Sequence, residues 1–79
     1  MPEKKLKVYE IVVYHEQLHT KRLFLVPAYS KEEAQKIYIR AQGSKNRIIE
    51  SVKCCRKKQD PERVIRLYER CKEMGWVND

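Results

Sequence analysis

The segment formed by residues 6–14 constrains the fold most, because it is apolar at both alternating positions of an extended strand. Successive side chains of a strand point to opposite faces of the sheet. Here the apolar side chains of one face are Val8, Val12 and Tyr14, and those of the other are Tyr9, Ile11 and Val13. A strand that is apolar on both faces usually lies inside a sheet, so we predict that this segment is the central strand.

The remaining sequence predicts two more strands and two helices. A polar loop separates the first strand from a second one at residues 21–28, and Ser30-Lys-Glu-Glu33 is a capping box that starts a helix to about residue 42. A third strand follows at residues 47–56, with Ile48, Val52 and Cys54 expected in the core. Asp60-Pro61-Glu62 starts a second helix. We therefore predict one α+β domain of order β-β-α-β-α, a three-stranded antiparallel sheet in strand order 2-1-3, and two helices packed on it.

Length and composition predict a single folded domain in a reducing compartment. The 79 residues suffice for one domain, residues 1–79, in which residues 1–5 are expected to form a disordered tail. No apolar run approaches the ~20 residues that cross a bilayer, and no signal peptide is recognisable. Three cysteines cannot all pair within one chain, which favours the cytoplasm, with Cys54 and Cys71 packed inside and Cys55 exposed.

The positive charge is concentrated between residues 45 and 59. Eighteen basic residues oppose eleven acidic ones, a net charge of +7, and this stretch contains a single acid, Glu50. We expect one basic surface from this stretch and the start of the second strand, formed by Lys45, Arg47, Lys53, Arg56, Lys57 and Lys58 with Lys21 and Arg22. Such a surface suits nucleic-acid phosphates, with structured RNA favoured over a specific DNA sequence. The alternatives are an acidic protein surface and a solvated surface that only aids solubility.

The arginines of the second helix favour a simpler interpretation. Arg63, Arg66 and Arg70 form one stripe, but glutamates lie three or four positions from basic residues along the same helix. We interpret this stripe as an ordinary solvated face. Tyr9, Tyr14 and Phe24 are candidates for stacking on nucleic-acid bases. For Tyr9 and Phe24 we prefer core packing, because Ile, Val and Leu surround them in the sequence.

The sequence predicts no catalytic or metal site. There is no glycine-rich phosphate loop, no paired carboxylate motif, and no histidine partner for a cysteine nucleophile, so we expect no enzyme and no cofactor. Adjacent cysteines on a strand point to opposite faces, so Cys54 and Cys55 chelate a metal poorly, and His15 and His19 fall in a loop.

A protein-binding module is the competing class. Small single domains encoded by phages and mobile elements block host nucleic-acid enzymes, and Tyr9, Trp76 and Val77 offer apolar groups for such an interface. A homodimer formed by pairing of an edge strand is a further alternative.

The first helix and the turn after it resemble the archaeal large-subunit ribosomal protein LX family. The residues that carry the resemblance are Ala28-Tyr-Ser-Lys-Glu-Glu-Ala34 and Gly43-Ser44-Lys45-Asn46-Arg47-Ile48. The similarity covers about residues 6 to 58 and includes a β-β-α-β start of comparable length. It implies that Lys45 and Arg47 face ribosomal RNA. This chain has Asn46 where that family tends to have histidine, and Ile49-Glu50 where it is more basic.

Overall fold

A computed structural model gives the structure of the chain, described here for residues 5–43 and 45–77. The elements are β1 (Lys7–His15), β2 (Thr20–Ala28), α1 (Lys31–Gln42), β3 (Arg47–Cys54) and α2 (Pro61–Glu73). The strands form one antiparallel sheet in the order β2-β1-β3. The predicted fold and strand order are therefore confirmed. Of the expected disordered tail, residues 1–4 lie outside the described residues and Lys5 is exposed.

The core lies between the two helices and one face of the sheet. Ile11 of the central strand is 0 % exposed, and Tyr9 and Val13 flank it on the same face. The buried cluster takes members from both helices and from β1 and β2: Tyr9, Ile11, Val13, Val26, Ala28, Ala34, Ile37, Tyr38, Tyr68 and Cys71. Burial of these apolar side chains is the main favourable term in the folding of a domain of this size.

The opposite face of the sheet is apolar but largely open to solvent. Residues paired across antiparallel strands share a face, and Leu23 pairs with Val12 whereas Leu25 pairs with Glu10. Leu23, Leu25 and Ile48 are 57 %, 54 % and 48 % exposed. We call this surface the open face, formed by Glu10, Val12, Tyr14, Leu23, Leu25 and Ile48.

A β-bulge in β3 corrects the predicted core positions of that strand. Val12 pairs with Ser51 but Val13 pairs with Ile49, so Glu50 is an extra residue. A bulge of one residue exchanges the faces of the side chains on its far side. Ile49 therefore packs against the core, and the prediction that Ile48 lies in the core is wrong. Strict alternation from Val52 would place the Glu50 carboxylate on the core face. The bulge keeps it off that face.

The cysteines also differ in part from expectation. Cys71 is buried as predicted, but Cys54 is exposed and Cys55 is half-buried. Cys54 is the last residue of β3, an edge strand with β1 on one side only. The prediction of a packed Cys54 is therefore wrong, because alternation along a strand does not show where the helices stop covering the sheet.

The capping box forms and also ties the two helices together. The Ser30 hydroxyl accepts a hydrogen bond from the Glu33 N–H, and a Glu33 carboxylate oxygen accepts from the Tyr29 N–H at 2.8 Å. The other Glu33 oxygen accepts from the Tyr68 hydroxyl of α2 at 3.0 Å, and the Tyr29 and Tyr68 rings meet edge to face at 5.2 Å. Glu33 thus fixes the start of α1 and the position of α2 at once.

The chain after α2 folds back onto the core. The Trp76 N–H donates to the Cys71 carbonyl at 2.9 Å, and Arg40 Nη1 donates to the Trp76 carbonyl at 3.0 Å. Trp76 and Val77 pack against the buried cluster, to which Tyr9 belongs. Trp76 and Val77 therefore use part of their apolar surface within the fold, and the interface suggested from these three residues stays a prediction.

Three buried acidic protons predict a loss of stability at alkaline pH. Burial raises the pKa of the Tyr9 and Tyr38 hydroxyls and of the Cys71 thiol above their ordinary values. Ordinary values are about 8.5 for cysteine and about 10 for tyrosine, so the unfolded chain loses these protons first as the pH rises. The contribution of these groups to the free energy of unfolding should be at its maximum below about pH 8. It should fall progressively from there toward pH 11.

Urea unfolding at pH 7.5 and pH 10 measures this effect, and Tyr9→Phe is the matched variant. That variant lacks one of the three protons and is otherwise identical to the parent chain. Its loss of stability between the two pH values should be smaller than that of the parent. An equal loss in both proteins contradicts the assignment for Tyr9.

Candidate nucleic-acid interface

The structure divides the eight predicted basic residues between the two ends of the sheet. Arg47 pairs with His15 beside the hairpin turn, whereas Lys53 pairs with Glu10. His15 and Glu10 are five residue steps apart along β1, about 17 Å at ~3.4 Å per residue. Lys21, Arg22, Lys45 and Arg47 lie at the hairpin end, and Lys53, Arg56, Lys57 and Lys58 lie at or beyond the other end. The eight residues therefore form two groups on the sheet, and their participation in one binding surface stays a prediction.

A wide groove at the end of β3 contains the denser group of cations. Its volume is about 780 Å³, and we call it the basic groove. Its lining consists of four cations, one carboxylate and one thiol: Lys31, Lys53, Arg56, Lys57, Glu10 and Cys54. Lys53 is the second-to-last residue of β3, and Arg56 and Lys57 belong to the loop that follows this strand.

Lys31 was not among the residues predicted from sequence. It is the first residue of α1, which starts just after β2 ends opposite Lys7. β3 ends opposite Tyr9, so the start of α1 and the end of β3 lie at the same end of the sheet. The predicted strand order already implied that the start of α1 lies beside the end of β3. Lys31 could therefore have been identified from the sequence as a neighbour of Lys53.

The charge in the basic groove is uncompensated within the described part of the chain. No ion pair of 4.0 Å or less involves Lys31, Lys53, Arg56 or Lys57 among residues 5–43 and 45–77. Glu10 is the one carboxylate that lines the groove, which leaves a formal charge of +3 there. Such a concentration of like charge favours binding of an anion that neutralises it.

At the hairpin end, by contrast, two of the four cations already bind groups of the protein. Lys21 Nζ lies 3.4 Å from a Glu50 carboxylate oxygen. Arg47 Nη1 donates to the Gln42 carbonyl at 2.7 Å and so satisfies the end of α1. Lys45 is exposed in the turn before β3, and Arg22 lies on the core side of β2, opposite Val13.

The other basic residues are exposed and lie away from the groove lining. Lys58 is in the loop before α2, and Arg63, Arg66 and Arg70 are exposed on α2. Their exposure confirms the solvated face expected for this stripe. The glutamate pairs that the spacing suggested do not come within 4.0 Å in the described residues.

The three aromatic candidates for base stacking have different positions. Tyr9 is buried, and Phe24 is half-buried with its ring 5.0 Å from that of Tyr38, so core packing is confirmed for both. Tyr14 is half-buried on the open face, where its hydroxyl forms a 3.1 Å hydrogen bond with His19 Nδ1. Tyr14 is thus the candidate that does not pack against the buried cluster.

Residues 5–43 and 45–77 contain neither a metal-ligand cluster nor a membrane-spanning helix. These residues contain no group of three or more His, Cys, Asp and Glu side chains placed to hold a metal ion. None of their helices is both long enough and apolar enough to span a membrane. No protein-family model, curated protein or solved structure matches the chain.

Proposed function

We propose that this chain is a small basic domain that binds nucleic acid through phosphate contacts, with structured RNA preferred. The observation that carries the proposal is the basic groove, in which four cations and one carboxylate line one concave surface. None of these cations has an ion-pair partner among residues 5–43 and 45–77. Lysine and arginine donors gathered at one end of the sheet suit phosphate oxygens, because phosphate and sugar accept half or more of the hydrogen bonds in protein–DNA complexes.

The groove favours recognition of the backbone over recognition of sequence. Its lining offers ammonium and guanidinium groups, whereas Tyr9 and Phe24 are used in the core and do not present rings to bases. Double-stranded RNA is bound mainly by shape and phosphate contacts, without base readout. The resemblance of the turn at Lys45 and Arg47 to a ribosomal protein family supports RNA over DNA, and these two residues would then form a second contact.

The odd number of cysteines supports a cytoplasmic location.

The test is binding of labelled duplex RNA, duplex DNA and single strands at 50 and 200 mM salt. If each of the four groove cations neutralises one phosphate, log K falls with log salt with a slope of about −3.6. Affinity for a duplex should therefore drop roughly 150-fold between the two salt concentrations. Absence of binding at 50 mM salt, despite the net charge of +7, contradicts the proposal.

The open face favours a second candidate, a module that binds a protein. Leu23 and Leu25 of β2 and Ile48 of β3 expose about half of their surface on the same sheet face, with β1 between the two strands. A partner could be an acidic protein, such as a host nucleic-acid enzyme, or a second copy of the chain. Leu23→Ser with Leu25→Ser separates the two functions, because the change leaves the basic groove intact. Loss of partner binding with unchanged RNA affinity would identify the open face as a protein interface.

A further inference from the structure

A small cavity lies at the hairpin end, on the core side of the sheet, about 17 Å along β1 from the basic groove. Its volume is about 150 Å³, and its lining includes Arg22, Arg47, His15, Gln42 and Tyr38. No carboxylate side chain from residues 5–43 or 45–77 is part of the lining. Within this described part of the chain, the two guanidinium groups therefore give the cavity a formal charge of +2.

The position of the two arginines follows from the sheet register. Arg22 pairs with Val13 across β1 and β2, and Arg47 pairs with His15 across β1 and β3. Val13 belongs to the core face, so both arginines lie on the side of the sheet that carries α1. Arg47 uses one nitrogen, Nη1, for the Gln42 carbonyl, which leaves its other N–H groups as donors.

The Tyr38 hydroxyl is the second observation that points to a ligand. Tyr38 is 3 % exposed, and its buried hydroxyl oxygen has no hydrogen-bond partner among the residues that the structure describes. Burial raises the pKa of this hydroxyl, and the nearby Arg47 guanidinium acts in the opposite direction. The hydroxyl thus lies within electrostatic range of Arg47 and carries its proton at neutral pH. Buried hydroxyls are nearly always paired, so an unpaired donor in a lining that also contains Arg22 and Arg47 calls for an acceptor.

We propose that this cavity binds a single phosphate group, held by the Arg22 and Arg47 guanidinium groups and by the Tyr38 hydroxyl. Arginine pairs suit phosphate because the planar fork donates two parallel hydrogen bonds to two oxygens. A drug-sized ligand or nucleoside needs about 300 Å³ or more, so this cavity accepts the phosphate and leaves the rest of the ligand outside. The phosphate could belong to the end of an RNA strand or to a small phosphorylated molecule, and the proposal does not depend on the basic groove.

Thermal unfolding with inorganic phosphate tests the proposal, against sodium chloride at equal ionic strength. A ligand that binds only the folded state raises the midpoint as its concentration exceeds Kd. We expect a saturable rise for phosphate above that for chloride. Tyr38→Phe should be at least as stable as the parent without phosphate, because it removes an unpaired hydroxyl. It should bind phosphate about tenfold more weakly, and Arg22→Gln should weaken binding by a similar or larger factor.

Lys36→Gln is the matched control, since it removes one charge from the exposed side of α1 and does not line this cavity. Its phosphate affinity should remain within about twofold of the parent. Equal losses in Lys36→Gln and Arg22→Gln would overturn the proposal and indicate diffuse electrostatic attraction. A phosphate effect no larger than that of chloride, or unchanged affinity in Tyr38→Phe, would overturn it as well.

Two further probes separate the sources of the phosphate. Adenosine monophosphate and a short RNA with a 5′-phosphate are compared, the same RNA with a 5′-hydroxyl serving as reference. Tighter binding of the 5′-phosphorylated RNA than of both others supports the cavity as a site for strand ends. Equal binding of adenosine monophosphate and phosphorylated RNA supports a site for small phosphorylated molecules. No advantage of either phosphorylated probe over the 5′-hydroxyl RNA would overturn the proposal.

Discussion

Replacement of Lys53, Arg56 and Lys57 by alanine should lower the affinity for duplex RNA roughly 500-fold at 0.1 M salt. The value follows from counterion release, because three lost phosphate contacts reduce the slope of log K against log salt by about 2.7. Relative to 1 M salt, where this contribution vanishes, the change in slope amounts to roughly 500-fold at 0.1 M. All three side chains line the basic groove and are free of ion pairs in the described residues, so their removal breaks no salt bridge there. The loss should be similar for different sequences, since phosphate contacts position the duplex without reading bases.

The matched control is the triple alanine variant of Arg63, Arg66 and Arg70. It removes the same net charge from exposed positions of α2, outside the basic groove. If binding depends on the groove, this control should keep its affinity within a few fold and keep nearly the full salt slope. Equal losses in the two triple variants would mean that the overall charge attracts RNA and that the groove is not the site. Circular dichroism of both variants shows whether the fold is retained.

The fold could be predicted because its determinants are local. The two apolar faces of β1 identify a central strand, and each helix begins at a side-chain cap that can be read from three or four residues. Ser30 caps α1, and the Asp60 carboxylate accepts from the Glu62 N–H at 3.1 Å to cap α2. Pro61 fixes the first turn of α2. With one central strand and two neighbours, strand order 2-1-3 is the simplest arrangement.

The candidate site was predicted less well, because it depends on which distant residues become neighbours. The basic residues between positions 45 and 59 are close in sequence, but an extended strand carries Arg47 and Lys53 to opposite ends of the sheet. Lys31 joins the basic groove from another element. The phosphate cavity needs a bulge that local alternation does not reveal. The one sequence signal for that bulge is Glu50, an acid at a position that strict alternation assigns to the core.

The bulge itself predicts opposite effects for two neighbouring isoleucines. Ile49→Asp should lower the free energy of unfolding by about 3 kcal/mol, because it removes apolar burial and places a carboxylate against the core. Ile48→Asp should cost less than about 1 kcal/mol, because Ile48 is 48 % exposed on the open face. Urea unfolding of the two variants under identical conditions measures the difference. Each variant is the matched control of the other, with the same chemical change one residue apart.

The result also bears on the phosphate cavity, because the bulge decides the face on which Arg47 lies. Strict alternation back from Val52 would place Ile48 in the core and would turn Ile49 and Arg47 to the open face. With the extra residue at Glu50, Ile49 and Arg47 share the side of α1, where Arg47 reaches the Gln42 carbonyl. A larger loss for Ile48→Asp than for Ile49→Asp would therefore refute the bulge, and Arg47 would no longer lie beside Tyr38 and Arg22. If urea unfolding shows the smaller loss for Ile48→Asp, it supports the geometry on which the phosphate cavity depends. No ligand is needed for this experiment.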